Sequence, residues 1–93
     1  MKTHRHKRAV SVRRRFANRL AAARNEAGFE TRAGLAAALH VHADTYRRYE
    51  RGEAEPPLFV LAGIAELTGR SLDFLVRGVS PRLKRAIRSR SDF

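Results

Sequence analysis

Apolar residues recur every three or four positions over most of the chain between Phe16 and Leu75, which is the spacing of an α-helix. Glycine, proline and polar turn residues interrupt this spacing. The pattern therefore predicts short helices joined by tight loops, and no strand. The predicted helices run from Ser11 to Gly28, from Arg32 to Leu39, from Ala43 to Glu50, from Pro57 through Leu67, and from Ser71 to Gly78.

Residues at the ends of the predicted helices support these boundaries. Ser11, Thr31 and Ser71 each precede a periodic run, where a side-chain hydroxyl can cap the first turn. Gly28 and Gly78 each follow such a run, where glycine adopts the left-handed conformation that ends a helix. In the fourth helix we expect six apolar side chains to be buried: Leu58, Leu61, Ala62, Ile64, Ala65 and Leu67.

The third predicted helix has two chemically different sides. At about 100° per residue, Tyr46 and Tyr49 fall on one side. The other side carries Ala43, Asp44, Arg47 and Arg48. An apolar helix precedes this one across a tight turn at residues 40–42, which is the layout of a helix-turn-helix. The pattern therefore predicts that the third helix lies in the major groove of DNA.

The positive charge of the chain is concentrated at its two ends. The chain of 93 residues has room for one domain, and its formal net charge is +11. Residues 16–78 carry eight basic and eight acidic side chains, whereas residues 1–15 contribute +7 and residues 79–93 contribute +4. We predict a domain at residues 11–78, a flexible basic arm at residues 1–10, and a basic tail or short helix at residues 79–93.

Several classes of protein are disfavoured by what the chain lacks. There is no cysteine, and no nucleophile and base pair, carboxylate pair or glycine-rich phosphate loop, so we expect no enzyme and no cofactor. The pairs His4 with His6 and His40 with His42 have no further ligand at convincing spacing, so we expect no metal. No apolar run approaches the roughly 20 residues of a membrane span. We expect a cytoplasmic, nucleoid-associated protein of bacterial or phage origin.

Four segments together resemble the phage-repressor family of helix-turn-helix domains, also called the Cro/C1 or XRE type. They are RNEAGF at residues 24–29, LAAALHV at 35–41, TYRRYERG at 45–52 and PPLFVLAGIAELTGRSLDFL at 56–75. The resemblance covers residues 13–78. It implies an all-α, compact five-helix bundle of the lambda-repressor-like type, extended here by basic arms at both ends.

The resemblance also implies roles for particular side chains on DNA. The base-contacting positions correspond to Ala43, Asp44, Arg47 and Arg48. Their chemistry fits, because arginine donates to guanine, aspartate accepts from cytosine, and an alanine methyl meets the thymine methyl. The arginines could instead touch only phosphates, and Asp44 could only stabilise the start of its helix. The implied phosphate contacts are Thr31, Arg32, Thr45 and Arg51.

One further pair of residues matches the family pattern, and two features of the chain differ from it. Arg24 and Glu50 correspond to a structural ion pair between the first and third helices. Between Gly28 and Leu35 the chain has one residue more than the common family spacing, and Phe29 is expected to fill the apolar position there. His40 stands where the family usually has a glycine with positive φ, so this histidine must adopt that conformation or the turn must be rebuilt.

The basic arms are predicted to add contacts with the DNA backbone. The candidates in the first arm are Arg5, Lys7, Arg8, Arg13 and Arg14. Together these features predict a sequence-specific regulator of transcription, favoured as a repressor that binds an inverted repeat as a homodimer, with RNA polymerase as a further possible partner. The main alternative is an antitoxin whose segment from Val79 to Phe93 binds a cognate toxin. A third interpretation is sequence-independent binding of nucleic acid driven by the arms.

Overall fold

Five α-helices and their connecting loops make up residues 2–78, the part of the chain that this computed structural model describes, with side chains from residue 6 onward. The helices are α1 (Lys2–Glu26), α2 (Arg32–Leu39), α3 (Ala43–Glu50), α4 (Leu58–Thr68) and α5 (Leu72–Arg77). The described residues contain no strand, which confirms the all-α prediction. The predicted tail at residues 79–93 lies outside the described residues.

The first helix begins earlier than the sequence pattern predicted. A flexible arm was expected at residues 1–10, with a helix capped at Ser11, but α1 is continuous from Lys2 to Glu26. That prediction was wrong because it took the apolar period as the signal for helix formation. Residues 2–26 contain no glycine or proline and are rich in alanine, arginine and lysine, which favour helix without burial. The core residue nearest the start of α1 is Phe16, so the helix continues well beyond the core.

Side-chain caps form at the predicted starts of α2 and α5. The Thr31 hydroxyl accepts a hydrogen bond from the Gly34 amide at 3.0 Å, and the Ser71 hydroxyl accepts one from the Phe74 amide at 3.0 Å. His42 caps α3, because its Nδ1 accepts from the Asp44 amide at 3.2 Å. These local bonds satisfy amides that a helix start leaves without partners, and they determine where each helix begins.

The turn between α2 and α3 has a residue with positive φ at position 40, where the family usually has a glycine. His40 adopts φ 58° and ψ 40°, the left-handed region, and it is the one non-glycine residue with positive φ in the described chain. Its amide donates to the Ala37 carbonyl at 3.1 Å, while the Val41 amide donates to the Ala36 carbonyl at 2.9 Å. The turn is therefore retained without glycine, at the steric cost of a side chain in this region.

The core is formed where all five helices meet. Its buried members are Phe16, Leu20, Ala23, Leu35, Ala36, Tyr46, Tyr49, Val60, Ile64 and Leu75. Phe29 packs against this cluster, which confirms its predicted role in the α1–α2 loop. Arg19 joins α1 to the end of α5, because its guanidinium donates to the carbonyls of Leu75 and Val76 at 2.9 Å each. The basic side chains of α1 therefore include some that serve the fold itself.

The buried face of α4 differs from the predicted one. Leu58, Ala62 and Leu67 were expected inside but are exposed, and Val60 is buried beside Ile64. Apolar residues occupy every side of this helix, so periodicity alone could not select the face that packs. Gly63 contributes through its size, since an added Cβ would lie 2.8 Å from Leu39 Cδ2 where α2 and α4 approach each other.

Candidate nucleic-acid interface

The α2-turn-α3 unit presents α3 with one side buried and the other in solvent. Tyr46 and Tyr49 are buried, and their rings meet edge to face with centroids 6.2 Å apart. The four predicted base-contacting residues are all exposed: Ala43, Asp44, Arg47 and Arg48. Arg51, just beyond the helix, continues the exposed side. The structure thus brings the predicted base contacts onto one surface.

A buried network centred on Glu50 holds α3 in position. Glu50 Oε2 lies 2.6 Å from Arg24 Nε and accepts a hydrogen bond from the Tyr46 hydroxyl. Arg24 also donates to the Phe29 carbonyl at 2.8 Å, which ties the α1–α2 loop into the same network. The Arg24 and Glu50 side chains are 9% and 6% exposed. The structure therefore brings together the two residues of the predicted ion pair.

The protonation of the network follows from these contacts. The hydrogen bond from Glu50 raises the pKa of Arg24, against the opposing effect of burial. Burial, and then the hydrogen bond with Glu50, raises the pKa of Tyr46 well above its ordinary value of 10. Tyr46 consequently remains a neutral phenol that donates to Glu50 while Arg24 remains charged. Among the described residues, no buried side-chain nitrogen or oxygen lacks a hydrogen-bond partner, so the inward side of α3 serves to hold the helix in place.

The outward side of α3 carries two arginines that differ in whether they form an ion pair. Arg47 Nη2 lies 3.2 Å from Asp44 Oδ1, in an ion pair whose side chains are 51% and 71% exposed. Arg48 forms no ion pair with any side chain that the structure describes. The guanidinium of Arg48 is free to donate two parallel hydrogen bonds to an acceptor, whereas Arg47 must share its charge with Asp44.

The predicted phosphate contacts are distributed around this surface and do not form one cluster. Thr31 and Arg32 lie at the start of α2, where the Thr31 hydroxyl is engaged as the cap and Arg32 Nε lies 3.8 Å from Glu50 Oε1. Thr45 is exposed in the first turn of α3. Arg51 is exposed at its other end, with Nε 3.1 Å from Glu53 Oε2.

The predicted arm residues lie on a helix, so they cannot follow DNA as an extended chain. Lys7, Arg8 and Arg14 are exposed on α1, while the side chain of Arg5 lies outside the described part. Arg13 is committed to the fold, since its Nε donates to the Gly52 carbonyl and its Nη1 to Glu55, both at 3.4 Å. The exposed arm candidates therefore present their charges at fixed positions on α1.

A basic groove between α1 and the end of α3, here called the α1–α3 groove, was missed by the sequence reasoning. Its volume is about 770 Å³, and it is lined by His6, Lys7, Val10, Ser11, Arg14, Arg15, Ala17, Asn18, Glu50 and Arg51. The assumption of an unfolded arm concealed it. The signal that could have revealed it is the spacing of Lys7, Ser11, Arg14 and Asn18, which places these four polar residues on one side of a helix.

His40 and His42 belong to the turn and the cap of the helix-turn-helix. No group of three histidine, cysteine, aspartate or glutamate side chains within residues 2–78 could hold a metal ion. No described helix is both long enough and apolar enough to cross a membrane.

Comparison with known proteins agrees with this geometry. A family model described as a helix-turn-helix domain matches residues 15–75, about two-thirds of the chain. The matched region includes the whole of α2, α3 and α4. The comparison with curated proteins and the comparison with solved structures each found no significant match.

Proposed function

Because the chain belongs to the helix-turn-helix domain family, of the phage-repressor type that its sequence resembles, we propose that it is a sequence-specific regulator of transcription that binds double-stranded DNA through α3. The observation that carries this proposal is the division of α3 into a buried side and an exposed polar side. The buried Tyr46, Tyr49 and Glu50 orient the helix, and the exposed Arg47 and Arg48 remain available for DNA. A recognition helix needs both properties.

Arg48 is proposed as the main base-reading side chain. Without an ion-pair partner among the described residues, it can donate to O6 and N7 of guanine with little rearrangement. Arg47 is proposed as a second base-contacting side chain, whose guanidinium is oriented by its ion pair with Asp44. Asp44 can keep this pairing on DNA or exchange it for a cytosine N4 donor, while the Ala43 methyl can meet a thymine methyl. A half-site containing G·C pairs follows from these roles.

The phosphate contacts are proposed at both ends of the helix-turn-helix. Thr31 and Arg32 are exposed at the start of α2, where the helix dipole favours an anion. Thr45 and Arg51 would contact the backbone on either side of the bases that α3 reads. The long distance of 3.8 Å between Arg32 and Glu50 leaves this guanidinium free to turn towards a phosphate.

We propose that the protein acts as a homodimer on an inverted repeat. A helix of eight residues is about 12 Å long and reaches only a few base pairs, so one copy discriminates weakly between sequences. Two copies related by a two-fold axis would place their α3 helices in major grooves about 34 to 36 Å apart. Occupancy of such a site across a promoter would exclude RNA polymerase, which makes repression the proposed output.

Selection of bound sites from a random duplex DNA library, at about 0.15 M salt, tests this proposal. We expect the full chain to enrich an inverted repeat with G·C pairs in each half. Arg77→Ala serves as the control variant, because Arg77 is an exposed arginine on α5 whose ion-pair partner is Asp73. It should enrich the same repeat. Binding without any enriched sequence would contradict the proposal and would favour sequence-independent association.

A further inference from the structure

The α1–α3 groove combines several cations with almost no effective negative charge. Lys7, Arg14, Arg15 and Arg51 line it, and Glu50 is its one acidic residue. The Glu50 carboxylate is turned inward, where Arg24 and Tyr46 bind it. The negative charge of Glu50 is thus already compensated by partners outside the groove. The groove therefore presents a strongly positive surface to an incoming ligand.

The fold itself does not account for these cations. Lys7, Arg14 and Arg15 are exposed and form no ion pair with any described side chain. Arg15 also lies four residues before Arg19, and two like charges at this spacing on a helix cost free energy. Arg51 has a partner in Glu53, but both side chains are about half exposed, and such a pair is weak enough for an anion to replace.

The groove continues the surface that α3 would present to bases. Arg51 follows Arg47 and Arg48 by about one helical turn on the exposed side of α3, and it is also a wall of the groove. On the opposite wall, four polar residues of α1 form a stripe: Lys7, Ser11, Arg14 and Asn18. The stripe is about 16 Å long at 1.5 Å per residue. A DNA strand advances about 3.4 Å of axis per nucleotide, so the stripe is long enough to follow several phosphates.

We propose that the α1–α3 groove binds the phosphodiester backbone of double-stranded DNA beside the bases read by α3. Lys7, Arg14, Arg15 and Arg51 supply the charges, and Ser11 and Asn18 supply neutral hydrogen-bond donors. The inference rests on the proposed function and extends it by assigning α1 to the backbone flanking each half-site. The continuity of α1 before Ser11 matters here, because it holds Lys7 in line with Arg14 before DNA arrives.

A pair of charge-matched double variants of the full chain tests the groove. The first combines Arg14→Gln with Arg15→Gln, which removes two charges from the groove and retains most of each side-chain stem. The control combines Arg70→Gln with Arg77→Gln, which removes two partly or fully exposed arginines beside α5 that do not line the groove and belong to no predicted DNA contact. Both variants have the same net charge, so a general electrostatic effect changes them equally.

The measurement is affinity for the selected duplex as a function of salt concentration. Each phosphate contact contributes about 0.9 to the slope of log affinity against log salt, so the groove variant should lose about 1.8 and the control much less. Both should enrich the same sequence as the unchanged chain, because α3 is intact. Equal slopes for the two variants would overturn the groove assignment and leave the proposed function standing. Absence of an enriched site for the unchanged chain would instead count against the proposed function.

A second measurement keeps the inference testable if the double variant unfolds, since Arg14 Cα lies near Gly52. Ethylation of individual phosphates on the selected duplex should interfere with binding at positions flanking the half-site. With Arg15→Gln alone, one of those interferences should disappear. Interference confined to phosphates within the half-site, with none at its flanks, would overturn the proposal, as would an RNA duplex that competes better than the DNA duplex for the flanking contacts.

Discussion

Two of the arginine-carboxylate pairs on α3, Arg24 with Glu50 and Arg47 with Asp44, share the same chemistry but differ in length and in exposure to solvent. Arg24 and Glu50 meet at 2.6 Å with both side chains nearly buried, and Tyr46 completes their hydrogen bonds. Asp44 and Arg47 meet at 3.2 Å with both side chains more than half exposed. Exposure to solvent determines how much each pair contributes to stability, because a buried charge depends on its partner whereas an exposed charge is also stabilised by water. The first pair therefore holds the helix, and the second is available for exchange with DNA.

The largest expected effect comes from breaking the buried pair. Glu50→Gln leaves the Arg24 guanidinium buried without its counter-charge, and we expect a loss of about 3 kcal/mol in the free energy of unfolding. Thermal and denaturant unfolding measure this loss. Glu66→Gln is the matched control, since Glu66 is exposed on α4 and should change stability by less than about 0.5 kcal/mol. Unchanged unfolding in Glu50→Gln would show that the pair has no structural role.

Alkaline pH offers a second way to separate the buried network from the exposed pair. The pKa of Tyr46 is raised in the folded protein, while in the unfolded chain a tyrosine ionises near pH 10. Above that pH the unfolded state releases a proton that the folded state retains, so stability must fall as pH rises. Denaturant unfolding from pH 8 to pH 11 should show this decline. Tyr46→Phe should flatten the decline, and an equally steep decline in that variant would contradict the assignment.

The third effect concerns DNA affinity, with stability unchanged. Arg48→Ala should weaken binding to the selected site by about 1 to 3 kcal/mol, the range for loss of a good bidentate base contact. Its unfolding should match that of the unchanged chain, because Arg48 is exposed and is not part of the core. A titration of labelled duplex gives the affinity. If the variant binds as tightly as the unchanged chain, Arg48 does not contact DNA.

The smallest effect is expected for the exposed pair itself. Asp44→Asn removes an ion pair worth about 0.3 to 0.5 kcal/mol on a helix surface, so thermal unfolding should hardly change. Releasing Arg47 should nevertheless alter the base preference at the position that Arg47 reads. Site selection with this variant tests the effect. An identical selected sequence would mean that Asp44 neither reads a base nor orients Arg47.

The order of the helices and the two sides of α3 could be predicted from the sequence, because both depend on local chemistry. The caps at Thr31 and Ser71, and the opposition of Tyr46 to Arg47 on α3, need only the helical period. The left-handed turn at His40 required the family resemblance, since nothing in the local sequence replaces the missing glycine. Prediction succeeded where one residue type favours one local geometry.

Prediction failed for the buried side of α4, which depends on contacts between residues distant in sequence. It also failed for the start of α1, which is helical without packing against the core. Leu58 and Val60 are both apolar and lie about 200° apart around α4, and only packing determined that the side with Val60 is buried. The extension of α1 to Lys2 leaves no apolar signal in the sequence, because residues 2–8 are all polar, and Lys7 and Arg8 face solvent. The α1–α3 groove was missed for that reason. It exists only when residues 6–18 are helical and lie beside the end of α3.

The most direct test of the central claim compares Arg48→Ala with the unchanged chain on every single-base variant of the selected site. If the outward side of α3 reads bases, the unchanged chain should discriminate strongly at the base pair under Arg48. The variant should lose discrimination at that pair alone, while its preferences elsewhere persist. A uniform loss of affinity, with the preference at every position retained, would show that Arg48 touches only phosphate and would contradict the account of α3 as the reading helix.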